Sequence, residues 1–236
     1  MTYNSILPKV FVYLLTTIET LYQTSVPLEV QNRKNVHLAT SDCLVIACYL
    51  WAVLHFCETL KAKHQLAQSL FPNFLEYSRF VRRCNALLPS IQVIRQALVF
   101  KEVEGISVSI IDSLPIPLCQ PIRNFRSKVL GDMGYLGQSL HDRLELKGID
   151  LITPVRKNMK QKKILFPNFS KRRKVIERVF SFLTNLGAER CKSRSPQGFQ
   201  LKLEMILLAY SLLLKSAKSL EPETLRYSIG YQVMAK

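Results

Sequence analysis

Two short apolar runs, Ile106–Ile111 and Val129–Leu130, constrain this chain more than any other feature, because each gives way to an aspartate and then to a breaker. Asp112 follows the first run directly and Asp132 follows the second after Gly131, with Pro115 and Gly134 close behind. β-Branched residues that stop at an acid and a breaker predict buried strands with a carboxylate at the C-terminal tip. In open α/β sheets, the crevice outside the strand C-termini is where ligands and catalytic groups collect. Two aspartates delivered there by neighbouring strands would form a divalent-metal site. Each Asp could equally cap the turn after its strand, a position the residue favours. The residues alone leave both readings open.

The chain has 236 residues, enough for one large domain or two small ones. A hydrophobic content of 48% supplies a real core and excludes wholesale disorder. The formal charge is +16, from 33 Lys and Arg against 17 acids, which points to a polyanionic partner, nucleic acid or an anionic surface. Six cysteines (Cys43, Cys48, Cys57, Cys84, Cys119, Cys191) form no CxxC pair and no zinc spacing, and read as reduced thiols of a cytosolic protein. The apolar runs Val10–Leu15 and Met205–Leu214 are too short for a bilayer, and no signal peptide is evident, so a soluble protein without a membrane partner is expected. No P-loop, dinucleotide loop or nucleophile elbow is present, which argues against nucleotide hydrolysis, dehydrogenation and serine hydrolysis.

Along the chain, apolar spacing predicts a helical half and then an α/β half. Helices are expected over Ile6–Gln23, Cys43–Phe56, Glu76–Leu88 and Ile91–Phe100, with Thr40, Ser41 and Asp42 as N-cap candidates for the second. His55 and His64 fall near helical apolar positions without carboxylate partners and read as structural. After the Phe71-Pro72-Asn73 turn, Arg79, Arg82 and Arg83 share one side of a short helix. That pattern fits the recognition helix of a helix-turn-helix, and also any solvated amphipathic helix. The domain boundary is expected at Glu102–Gly105, dividing a helical, DNA-binding domain 1–102 from an α/β domain 103–236. In the second half a helix Ser139–Lys147 leads to a third strand, Ile149–Val155, a parallel α/β order. From Arg156 to Arg178 there are ten Lys or Arg and one acid, Glu177, on a predicted helix Arg172–Leu183. Glu177 could simply pair with Arg173 or Lys174 on its own helix. An apolar helix Phe199–Leu214 must be buried, and the tail after Lys218 carries no signal.

In order, the motifs IIDSLPIPLC, GDMGYLG and RKVIERVFSFL resemble the DDE transposases of bacterial insertion sequences, most closely the insertion-sequence family nine-eight-two. The runs SDCLVIACYLWAVLHF and PNFLEYSRFVRRCNALLP resemble that branch's helical domain, so the resemblance spans about Asp42 to Leu214. It implies an α/β fold, with the helical N-terminal domain followed by a shortened ribonuclease-H-like domain built on a small, mainly parallel sheet. The acid triad it implies is Asp112, Asp132 and Glu177, holding Mg²⁺ or Mn²⁺. Tyr135 matches the aromatic of the family's Asp-x-Gly-Tyr motif, and Arg173 the Arg-x-x-x-Glu spacing, but Thr184 stands where a Lys is common. Implied partners are double-stranded DNA and transposon ends, with a homodimer among the assemblies allowed, in a bacterial cytoplasm near the nucleoid. Arg79, Arg82, Arg83, Arg156, Lys157, Lys160, Lys162, Lys163 and Arg173 are the candidate DNA contacts.

The chemistry suits those residues. Phosphodiester cleavage needs an activated water or hydroxyl and a stabilised leaving oxygen, and two hard cations on carboxylate oxygens supply both. The spacing departs from the family: positions 113 to 131, 19 residues, separate the first two acids. Two antiparallel strands and a helix do not fit into that length, so an internal deletion is inferred. A parallel crossover needs about a dozen residues and does fit. The three-stranded sheet that results would run first, fourth, fifth, with an uncovered outer edge. Three functions compete: a metal-dependent strand-transfer enzyme, a deleted remnant that only binds DNA, and an unrelated helix-turn-helix regulator.

Overall fold

The computed structural model describes residues 7–31, 40–103, 108–110, 127–130, 138–152, 169–189, 193 and 195–220, which are mostly helical. The chain divides into two compact units, Met1–Glu102 with Phe182–Lys236, and Val103–Ser181. The first break coincides with the change from helical to strand periodicity. The second unit ends at Ser181, because the chain from Phe182 returns to the helical unit instead of staying with the strands.

The first unit is built round α3 (Asp42–Leu54), in which every residue from Leu44 to Val53 is buried. A helix apolar on all sides must be covered on all sides. The cover comes from α1 (Lys9–Ser25), α4 (Leu60–Leu70), α5 (Tyr77–Ala86) and α9 (Pro196–Leu220), which all pack on it. Ser41 starts α3, its hydroxyl accepting from the Leu44 N–H at 3.1 Å, so of the three N-cap candidates Ser41 fills the role. Its C-terminus is closed by Cys57 N–H to Ala52 O and Phe56 N–H to Val53 O. That pattern needs a left-handed residue, and Phe56 supplies it at φ 56° where glycine is usual, a cost of about 1 kcal/mol.

The short α2 (Leu28–Gln31) follows α1, and α6 (Leu88–Val103) follows α5 with Pro89 in its first turn. Ile91, Ile94 and Leu98 of α6 are buried, as are Leu201, Met205 and Leu208 of α9. Arg95 and Glu204 join these two helices, Nη2 to Oε1 at 3.4 Å and Nε to Oε2 at 2.5 Å. His64 packs against Phe74, Tyr77 and Phe80 and its Nε2 meets Leu75 O at 2.6 Å, while His55 Nδ1 meets Trp51 O at 2.8 Å. His64 serves the core, whereas His55 is exposed at the C-terminal end of α3 and bonds within its own helix.

Lys63 of α4 and Lys202 of α9 are charged residues buried in this interior, and Lys63 is 3% exposed with its ammonium donating to Cys57 O and lying 5.3 Å from the Tyr49 ring centre. Burial, helped by Lys202, pushes its pKa down from 10.5 to about 8. Between those values the unfolded chain holds a proton that the folded chain has lost, so this group's contribution to stability rises with pH. Below about 8 both states hold it, and the penalty for a buried charge is fully present. Lys63→Met should therefore be more stable than the parent at pH 7. Its margin should shrink by about 1.4 kcal/mol by pH 9, read from urea midpoints at the two values. A margin constant with pH would show that Lys63 keeps its ordinary pKa.

The second unit contains β1 (Val108–Ile110), β2 (Ser127–Leu130), α7 (Gln138–Glu145), β3 (Ile149–Ile152) and the first part of α8 (Phe169–Asn185). The strands form one sheet in the order β1-β2-β3, parallel throughout. Ile110 lies opposite Leu130, and Leu130 opposite Ile152. Strand alternation buries Ile149 and Leu151 against Leu140 and Leu144 of α7 and leaves Asp150 exposed. α7 is the crossover helix that parallel β2 and β3 require. The expected third strand reached Val155, and Thr153–Val155 lie outside the described residues, as do Ile106, Ser107 and Ile111 of the first.

Candidate functional site

The strands that lead to the two aspartates are neighbours. β1 and β2 run parallel with no strand between them, and Ile110 pairs with Leu130. Asp112 and Asp132 each follow those paired residues by two positions in sequence, and both lie outside the described residues, as does Tyr135. Glu177 is exposed on α8, with exposed Lys174 and Arg178 within one turn. Arg173 also belongs to α8, but its side chain lies outside the described residues. Among the described residues no group of three His, Cys, Asp or Glu converges. The three acids offer only carboxylate oxygens, and the parallel strands that precede two of them end in register at Ile110 and Leu130. Hard donors of this kind fit Mg²⁺ or Mn²⁺ and not a thiophilic metal.

Apart from Arg173, the candidate DNA contacts separate into two sets. Arg156, Lys157, Lys160, Lys162 and Lys163 lie outside the described residues. The other set sits on α5, which follows α4 through Phe71–Glu76. Glu76 opens α5, its carboxylate accepting from the Ser78 N–H at 3.3 Å and hydroxyl at 2.7 Å, and these two bonds hold its pKa below the usual range. Phe80 and Cys84 point into the core, while Arg79 and Arg82, three residues apart, are exposed. Tyr77 is 40% exposed beside them.

Arg83 is separated from this pair. Its Nε donates to Asp42 Oδ1 at 2.6 Å, and Tyr22 Oη donates to Asp42 Oδ2 at 2.9 Å. The two charged side chains are only 19% and 12% exposed, and Arg83 Nη2 is buried without a hydrogen-bond partner. Arg83 thus ties α5 to the first turn of α3, and the exposed basic face of α5 is Arg79 and Arg82. This network was absent from the sequence reading because its members lie 20 and 41 positions apart. Only Asp42, noted as a cap candidate, carried a local signal.

No helix among the described residues is long and apolar enough to cross a membrane. No curated protein and no solved structure matches the chain. Residues 111–212 match the family model of the transposase DDE domain, a span that takes in Asp112, Asp132 and Glu177 and supports a DDE transposase.

Proposed function

We propose that this chain is a transposase-type, DNA-binding protein of the insertion-sequence kind, related to family nine-eight-two, with a shortened ribonuclease-H-like domain carrying Asp112, Asp132 and Glu177. The observation that carries the reading is the transposase DDE match over residues 111–212, which includes the three acids in their expected order. The three carboxylates would hold the divalent metal typical of DDE transposase domains. When bound, the metal supplies activation of the attacking oxygen and neutralisation of the leaving one. The basic residues 156, 157, 160, 162, 163 and 173, with Arg79 and Arg82, would hold double-stranded DNA at the transposon ends by its phosphates. Reduced thiols and the basic charge suit a bacterial cytoplasm, near the nucleoid.

A second reading, a DNA-binding remnant with an internal deletion, is favoured by one observation. β1 and β2 are direct neighbours, and only positions 111–126 join them. Catalytic groups need placement to within about 1 Å, and an error of that size costs about 100-fold. The expected result is weak Mg²⁺ binding and no nicking of supercoiled DNA carrying the element's ends above the level of Asp112→Asn/Asp132→Asn. Metal-dependent nicking by the parent chain, lost in that variant, would establish the enzyme and dispose of the remnant.

A further inference from the structure

We propose that Lys63 of α4 takes up carbon dioxide as a carbamate, with Lys202 of α9 as its counter-charge inside the helical unit. Among the described residues of that unit two lysines are buried, Lys63 at 3% exposure and Lys202 at 8%. Burial opposes the ammonium of Lys63 most and Lys202 adds to that, while Cys57 and Glu58 act the other way. Glu58 is exposed, so its carboxylate is screened by solvent. Two cations in an apolar interior carry a cost that a buried anion beside them would offset. The two amines stand in different places. Lys202 Nζ lies just past the C-terminal end of α8, 3.7 Å from where a Cβ on Gly187 would be, and helix C-termini favour a cation. Lys63 donates to the single carbonyl of Cys57 and faces the Tyr49 ring. Lys63 is therefore the amine that gives up its proton. With its pKa at about 8, about a tenth of it is neutral at pH 7, about 300 times the fraction for an ordinary lysine.

Size selects the reagent. An amine this buried excludes acyl donors, aldehydes and nucleic acid, whereas carbon dioxide is small and uncharged and enters through transient openings of a packed core. The lone pair of the neutral amine forms a bond to the carbon of carbon dioxide. One C=O π pair becomes a carboxylate lone pair, and one amine proton leaves to solvent: R–NH2 + CO2 → R–NH–COO⁻ + H⁺. Nothing is oxidised or reduced. The N–H that remains still has Cys57 O to donate to. The buried pair changes from two cations to an anion and a cation, which is the arrangement a low-dielectric interior favours. The inference does not depend on the transposase reading.

The test equilibrates the full chain with isotope-labelled bicarbonate and dissolved carbon dioxide, fixes carbamates with an alkyl oxonium salt, and locates them by peptide mass. Lys63 should carry the label, and Lys61, exposed on the same helix, should not. The chain's α-amino group, with an ordinary pKa near 8, reacts as well and falls in a separate peptide. Lys202→Met should lower the occupancy of Lys63 about tenfold, because it removes the counter-charge and lets Lys63 keep its proton. The melting temperature of the parent should rise with carbon dioxide at constant pH and ionic strength, since a ligand of the folded state shifts the folding equilibrium. That of Lys63→Met should not move. A parent without label at Lys63 would overturn the proposal. So would equal labelling of Lys61 and Lys63, or undiminished labelling of Lys63 in a folded Lys202→Met.

Discussion

Replacing Asp42 by Ala should cost about 3 kcal/mol of folding stability. The carboxylate accepts from two sides, Arg83 Nε at 2.6 Å and Tyr22 Oη at 2.9 Å, and so joins α5 and α1 to the first turn of α3. It also stands where the α3 dipole favours a negative charge. The loss is large because of what remains. Arg83 already has Nη2 buried without a partner, and without Asp42 the guanidinium becomes a buried cation with no counter-charge. Asp42→Asn keeps an acceptor and loses the charge, so it should cost about half as much. Adding Arg83→Met to Asp42→Ala should restore most of the loss, since a hydrophobic replacement of both partners is often neutral. Urea denaturation of these proteins, with Arg83→Met alone to close the cycle, gives the coupling. A loss under about 0.5 kcal/mol in Asp42→Ala would mean that the pair is solvated, as surface ion pairs are, and would return Arg83 to the exposed basic set.

The contrast between α3 and α4 shows what the sequence could tell. α3 was legible because ten successive buried residues are apolar or aromatic and Ser41 precedes them. α4 was not predicted, because its buried side chains are Lys63, His64 and Ala67, so two of the three inward positions look like surface. Its start was marked by Thr59, which accepts from the Ala62 N–H at 3.1 Å, but a cap without an apolar stripe is a weak signal. The left-handed turn at Phe56 was hidden for a similar reason: no glycine announces it. For α9 the signal existed and lay outside the apolar run, since Ser195 accepts from the Gly198 N–H at 3.1 Å and Pro196 opens the helix. Strands β1 and β2 were legible from their β-branched runs, and Ile110 pairs with Leu130. That α9 packs on α3 and α5 could not be read, because an apolar face does not name its partner.

Neutralising Arg156, Lys157, Lys160, Lys162 and Lys163 together should have the largest effect of any change on DNA affinity. The five removals take the formal charge from +16 to +11, and they empty one short strip of its cations. Each phosphate contact releases counterions and adds about 0.9 to the slope of log affinity against log salt, so losing five flattens it by up to about 4.5. Between about 50 and 200 mM salt the fall in affinity should then shrink by up to about 500-fold. Arg79→Gln/Arg82→Gln on α5 makes the comparison, since both side chains are exposed while Arg83 is held by Asp42. Two contacts there would change the slope by at most about 1.8. Titrations of one duplex at four salt concentrations separate the surfaces, because slope counts contacts whatever the sequence read. If the five-fold variant keeps the parent slope and the α5 variant does not, the DNA lies on the helical unit, with α5 as its reading helix. If neither moves it, the phosphates are held by other basic residues and both assignments fall.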